Sequence, residues 1–352
     1  MAHLQPGRTL AALVVYPREV IPTITNPYRA TRGTGCKAHA MAIPYCNPVH
    51  DGYFADPFVL QTDDGYVAFG TGREVDGRVF EVLTSPDLVS WTSVGGALVR
   101  PDVEGTDYWA PEVVRHDGRY HLFYSVGTGD AGHHIRVAVA DEPTGPYTAR
   151  GVDLTPEERF AIDPHPFRGD DGEWYLFFAH DVLDGPRVGT MLAVSRLTPD
   201  LGALTGDVVE ALQPTADWQI YQRGRSMYGA TYDWHTLEGP FVRRHDGRYW
   251  CFYSAGSWLE PTYAVGCAVS DHPLGPWTVP ELPEPVMRTV PGRVVGPGHN
   301  SVVATPGGRD VVVYHAWDPD MTARRMCVDP LVWAADGPTV DGPSWEPRQL
   351  PD

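Results

Sequence analysis

One phrase recurs five times along this chain of 352 residues and restricts its fold more than any other feature. Each copy is a glycine-bearing turn followed by an apolar run rich in aromatic residues. The copies begin at Asp64-Gly65-Tyr66, Asp117-Gly118-Arg119, Asp171-Gly172-Glu173, Asp246-Gly247-Arg248 and Gly307-Gly308-Arg309. Each reads as a hairpin turn feeding a strand. The five glycines are separated by 53, 54, 75 and 61 residues. A four-stranded blade takes roughly 40 to 50 residues plus loops. A second phrase marks the outer turn of a blade: Ser85-Pro86-Asp87-Leu88, Asp141-Glu142-Pro143 and Asp271-His272-Pro273. No segment carries a helical period of useful length, and a β-sandwich does not account for five units of this size. The spacing predicts an all-β chain, a five-bladed β-propeller over residues 46–352, preceded by a partly irregular extension over 1–45.

Nine residues before each repeat glycine stand Asp56, Trp109, Asp163, Glu238 and His299. Rotation about a propeller's axis relates equivalent positions. If this one opens the innermost strand, all five side chains meet at one mouth of the central channel. Their neighbours are apolar and proline-rich, as in Ala55-Asp56-Pro57 and Glu238-Gly239-Pro240, and proline suits the first residues of a strand. A lone Asp-Pro or Glu-Gly-Pro is ordinary turn chemistry. Three carboxylates in phase with an independent repeat are not what turns alone produce, and they point to acid–base work.

Composition narrows the partners. A net charge of −18 with no basic patch argues against nucleic acid and anionic membranes. No run approaches the ~20 apolar residues of a membrane span. The apolar run Leu10 to Tyr16 is too short and too late for a leader, so a cytoplasmic location is expected. Five cysteines without Cys-x-x-Cys spacing suggest neither a zinc site nor a required disulfide framework. Cys251 and Cys267 read as core residues, and Cys36 and Cys46 could pair.

At these motifs the sequence resembles glycoside hydrolase family 43, whose arabinofuranosidases, xylosidases and arabinanases sit on five-bladed propellers. The resemblance rests on Asn47-Pro48-Val49 through Asp56-Pro57-Phe58, Trp109-Ala110-Pro111-Glu112, Asp163-Pro164-His165-Pro166-Phe167, Glu238-Gly239-Pro240 and Gly298-His299-Asn300-Ser301. It implies inverting hydrolysis, with Asp56 as general base, Glu238 as general acid and Asp163 orienting that acid and tuning its pKa. It also implies that His299 contacts a calcium or other hydrated ion in the channel, and that an arginine, Arg324 ahead of Arg325, touches a substrate hydroxyl or the acid. No further cofactor is required. Trp109 has two readings, a platform for a sugar face or a core filler. His299 is otherwise a hydrogen-bonded floor of the pocket. His165 and Trp258 are candidate substrate contacts by proximity to a motif, and Asp107 and Tyr108 are candidates for the rim.

The expected activity is release of terminal pentose from an oligosaccharide or polysaccharide by an exo-acting α-L-arabinofuranosidase. The alternatives are β-xylosidase, endo-arabinanase, galactofuranosidase or a non-catalytic carbohydrate-binding propeller. The long third interval, with Asp217-Trp218-Gln219 and Tyr232-Asp233-Trp234, is expected to narrow the mouth into a pocket. A phosphorolytic enzyme would need free cations near the acid, for which Arg223, Arg225, Arg243 and Arg244 are candidates.

Overall fold

The computed structural model describes residues 42–280 and 285–351. The expected extension over 1–45 and Cys36 therefore fall mostly outside the described residues. Strand β1 (Ile43–Tyr45) precedes sheet I, formed by β2 (Ala55–Thr62), β3 (Gly65–Thr71), β4 (Arg78–Ser85) and β5 (Thr92–Val99). Sheet II holds β6 (Asp107–His116), β7 (Arg119–Thr128), β8 (Ala131–Ala140) and β9 (Thr148–Asp153). Sheet III holds β10 (Ala161–Arg168), β11 (Trp174–Val182), β12 (Gly189–Leu197) and β13 (Leu204–Leu212). An inserted strand, β14 (Ile220–Met227), forms a hairpin with the first part of β15 (Ala230–His245). The second part of β15 opens sheet IV, continued by β16 (Arg248–Ala255) and β17 (Ala264–Ser270). Sheet V holds β18 (Val295–Ala304), β19 (Asp310–Trp317), β20 (Arg324–Ala334) and β21 (Gly337–Val340), and β22 (Arg348–Leu350) pairs with β1. One 3-10 turn, Asp217–Gln219, is the sole helix among the described residues.

The innermost strands close a ring. β2 packs on β6, β6 on β10, β10 on β15, β15 on β18, and β18 on β2. The chain is a five-bladed propeller, and the recurring phrase is the second strand of every blade. Those strands are buried along nearly their whole length, because alternate side chains enter two different interblade layers. Leu122 and Tyr124 of β7 pack with Phe69 and Phe80 of sheet I, whereas Phe123 packs with Leu176 and Phe178 of sheet III. Tyr175 and Phe177, of opposite parity on β11, join Cys251 and Tyr253 of sheet IV. Each such side chain contributes ~1.5–3 kcal/mol by leaving water. An aromatic-rich strand with no polar face is what a middle strand covered on both sides requires.

The ring is sealed where sheet V meets the segment before sheet I. Asn47 donates to Val328 O (2.9 Å) and its side-chain oxygen accepts the Val328 N–H (2.8 Å). Asp329, fully buried, accepts from the Tyr45 and Tyr314 hydroxyls at 2.8 and 2.7 Å.

Candidate active site

Each innermost strand breaks its register at one common level, and β18 breaks it a second time between Val295 and Gly298. The common shifts fall between Ala55 and Phe58, Trp109 and Glu112, Ile162 and His165, Glu238 and Phe241, and Gly298 and Ser301. At each bulge one residue takes a left-handed conformation: Asp56 (φ 50), Ala110 (φ 46), Asp163 (φ 58), Gly239 (φ 55) and His299 (φ 47). Asp, His and Gly are among the residues that tolerate this region best. The prolines next to the carboxylates thus stand at bulges inside the strands, not at the strand starts expected from sequence. A bulge is the other place where a sheet accepts a missing N–H.

Bulge geometry also corrects the nine-residue phase. It holds in sheets I, III and V, where Asp56, Asp163 and His299 are the left-handed residues. In sheets II and IV the glycine sits one place earlier in its turn, so Ala110 and Gly239 occupy the bulge. Trp109 and Glu238 precede it by one residue. All five side chains still line a single cavity of about 640 Å³.

A ring of pegs holds the bulges. The N–H of Ala110 donates to Thr71 Oγ1 (2.7 Å), that of Asp163 to Ser125 Oγ (3.0 Å), and that of His299 to Ser254 Oγ (2.6 Å). The Asp56 N–H donates to His315 Nδ1 (3.1 Å). Each acceptor lies near the end of the preceding blade's second strand. Blade III carries Ala179 there, with no side-chain acceptor, and the Gly239 N–H donates instead to Asp163 Oδ2 at 2.9 Å. Asp163 is therefore tied to the backbone residue that follows Glu238.

The carboxyls differ in surroundings. Asp56 has Arg324 Nη1 and His299 Nδ1 each 3.3 Å from Oδ1. Burial alone would raise its pKa, but these neighbours hold it well below the usual carboxylate range. His299 is itself pushed down by burial and is neutral near pH 7, so the lasting positive partner is Arg324. Glu238, half-buried on the cavity wall, is pushed up to about 7, first by burial. The Tyr263 hydroxyl donates to its Oε1 at 2.6 Å and pulls the other way, while Asp56 adds to the rise. Asp163 is raised by burial and then by Glu238 and Asp56. Burial and the neighbouring carboxylate charges thus favour the protonated form of Asp163.

Trp109 stacks on His133 at 3.8 Å and 19°, and its indole lines the cavity. Arg324 lies 4.5 Å from the Trp258 ring and donates to the Tyr53 hydroxyl through Nε (3.1 Å) and Nη2 (2.7 Å). Arg325 instead pairs with Asp318 at 3.1 Å. Asp107, Tyr108 and Trp258 line the cavity, as expected. His165 does not. Its Nδ1 meets Glu112 at 2.7 Å, its Nε2 accepts the Val242 N–H at 3.0 Å, and its ring packs on Phe241, so it has no nitrogen left for a sugar. Cys251 and Cys267 are buried as expected. Among the described residues no group of three His, Cys, Asp or Glu side chains is arranged to hold a metal. His299 aims Nδ1 at Asp56, so the residues present do not form a cage for an ion.

Sequence reasoning missed Tyr263, Tyr53 and His315. His315 was findable, because it occupies the peg position of the repeat, seven residues after Gly308. Tyr263 and Tyr53 stand in loops that the repeat does not number.

Comparison with known proteins decides the family. The family described as "Glycosyl hydrolases family 43" matches residues 45–339. The chain belongs to glycosyl hydrolase family 43. It is 28% identical over 316 residues to a β-D-galactofuranosidase of Aspergillus niger, covering 83% of each protein. It is 27% identical to an extracellular exo-α-(1→5)-L-arabinofuranosidase of Streptomyces avermitilis, covering 89% of this chain and 68% of the relative. A solved thermostable family-43 glycoside hydrolase shares 32% identity and a TM-score of 0.76 over 88% of this chain and 99% of that one. The protein is a glycosidase acting on a carbohydrate. In a family-43 enzyme, one carboxyl that stays ionised and one that keeps its proton, facing a common cavity, can remove a proton from water and donate one to a glycosidic oxygen.

Proposed function

We propose that this enzyme removes terminal α-L-arabinofuranosyl residues with inversion. The observation that carries the reading is the contrast in surroundings of two carboxyls in one cavity, Asp56 against the Arg324 guanidinium and Glu238 against the Tyr263 hydroxyl. In the proposed step, Asp56 accepts a proton from a water molecule as its oxygen bonds to the anomeric carbon. Glu238 gives its proton to the glycosidic oxygen as the bond from that oxygen to the anomeric carbon breaks. The free sugar leaves with the opposite anomeric configuration, and exchange with solvent returns the proton from Asp56 to Glu238. Burial keeps Glu238 protonated, and Asp163 fixes the backbone beside it through the Gly239 N–H. Arg324 keeps Asp56 ionised and reaches the cavity between Tyr53 and Trp258. No step passes through a metal ion.

Two observations support a terminal furanoside. The inserted hairpin contributes Tyr221, Arg225, Met227 and Trp234 to the cavity wall, which favours a pocket over an open groove. The two relatives named above are both furanosidases by name. Phosphorolysis finds no support, because Arg223, Arg225, Arg243 and Arg244 are already paired with Asp233, Asp130, Asp310 and Asp170.

The test uses p-nitrophenyl α-L-arabinofuranoside, β-D-xylopyranoside and β-D-galactofuranoside, with the first-formed anomer followed by proton NMR. The arabinofuranoside is expected to be the best substrate and the β-anomer of arabinose to appear first. Asp56→Asn on the p-nitrophenyl substrate, and Glu238→Gln on an oligosaccharide whose leaving alcohol needs the proton, are each expected to lower kcat by about 10³-fold or more with the fold intact. A retained anomer, or near-normal turnover in either variant, refutes the reading.

A further inference from the structure

The inserted hairpin is fastened at more points than a solvent-exposed loop needs. It leaves sheet III, turns at Tyr228-Gly229 (φ 51 and 78) and returns into sheet IV through β15. Its tip is tied to sheet III, where the Tyr228 hydroxyl donates to Asp181 Oδ2 at 2.7 Å. Its returning arm is tied to the same carboxylate through a relay. Trp234 Nε1 donates to Thr190 Oγ1 (3.2 Å), and that hydroxyl donates to Asp181 Oδ1 (2.8 Å). The outgoing arm reaches further. Arg225 Nη2 donates to Asp130 Oδ2 at 2.8 Å, in the turn between β7 and β8 of sheet II.

That last bond joins segments that flank blade III, and both of its residues line the catalytic cavity. The Arg225 guanidinium is held 4.8 Å from the Tyr221 ring and 5.4 Å from the Trp234 ring. Only 14% of its side chain is exposed, against 66% for Asp130. An arginine fixed by two aromatic faces and a carboxylate is a stiff strut rather than a mobile surface charge. We propose that the Arg225–Asp130 pair is the end stop of the pocket, blocking the path by which a polysaccharide would continue past the sugar being cleaved. This inference rests on the chain-end reading above and names the residues that enforce it. A wall excludes internal linkages by collision, whereas a site without one accepts ends and interiors alike.

The experiment compares wild type, Arg225→Ala, Asp130→Ala and the double variant on linear α-1,5-arabinan and β-1,4-xylan. The polymer that wild type trims is used for the comparison, and first products are sized by chromatography. Asp130 is exposed in a turn, so its variant tests the pair even if the Arg225 variant folds poorly. The ratio of internal cuts to terminal release is expected to rise by about tenfold or more in each single variant, with the double variant no further changed, because the pair acts as one unit. Variants that stay confined to chain ends, with only a raised KM, overturn the end stop and leave the chain-end reading standing. Wild type that already cuts internal linkages, or trims neither polymer, overturns both.

Discussion

Burial raises the hold of both Glu238 and Asp163 on a proton, and the charge of Glu238 raises that of Asp163 further. For Glu238 the ordinary value of 4.5 becomes about 7. An unfolded chain ionises this group above ~4.3, while the folded chain retains the proton to near 7. Its contribution to stability is therefore complete below the unfolded value and is lost as pH rises through 7. Glu238→Gln removes that titration. Its Tm relative to wild type is expected to rise between about pH 5 and about pH 8 in calorimetry, and a pH-independent difference would contradict the assignment. The same proton sets catalysis: kcat/KM of wild type is expected to fall on an alkaline limb with an apparent pKa near 7. Asp56, Asp163 and Glu238 were legible in the sequence because the repeat numbers them. Tyr263 was not, since its hydrogen bond to Glu238 depends on how a loop after β16 folds back. His165 was misread for a related reason. Lying two residues from a carboxylate along a strand does not place a side chain in the same cavity, and Glu112 and Val242 claim both of its nitrogens.

At the level of the strand, the bulge does what a straight β-ladder cannot: it turns one residue of each inner strand toward the channel mouth. Gly239 shows the constraint most sharply. Its φ of 55° lies in the left-handed region, and an added Cβ would stand 3.1 Å from the His299 ring. Gly239→Ala is expected to lower stability by ~1–2 kcal/mol through the backbone alone. It should also lower kcat, because the displaced His299 faces Asp56 and the displaced N–H anchors Asp163. Calorimetry and steady-state kinetics on one preparation check both, and an alanine variant with unchanged Tm and kcat would show that the bulge is not under this constraint. Turn glycines marked the strands correctly, yet they misplaced the bulges of sheets II and IV by one residue. The glycine holds a different place in those turns, and a sequence count cannot see where within a hairpin the ladder closes.

For the molecule as a whole, closure depends on a buried seam. Asp329 takes hydrogen bonds from Tyr45 and Asn47 across it and from Tyr314 within its own sheet. Asp329→Ala leaves those donors without their acceptor and is expected to cost ~3 kcal/mol or more. The Tm should fall while kcat at 25 °C stays within about twofold of wild type, since the seam touches no cavity residue named above. A kcat loss in fully folded protein would show that the seam also shapes the site. The five units were readable from their phrase and spacing. The seam was not, because Asn47 and Asp329 are far apart in sequence and belong to no repeat. A further consequence follows from the peg that blade III lacks. Three blades are aligned by hydroxyls with no part in the proposed chemistry and one by His315 beside Asp56, but the fourth blade is aligned on the third by Asp163. The alignment of the fourth blade thus rests on a carboxyl of the cavity itself, so a substitution of Asp163 alters the blade and the cavity together. An Asp163→Ala, Ala179→Ser double variant separates the two, offering the Gly239 N–H a hydroxyl while removing the carboxyl from the cavity.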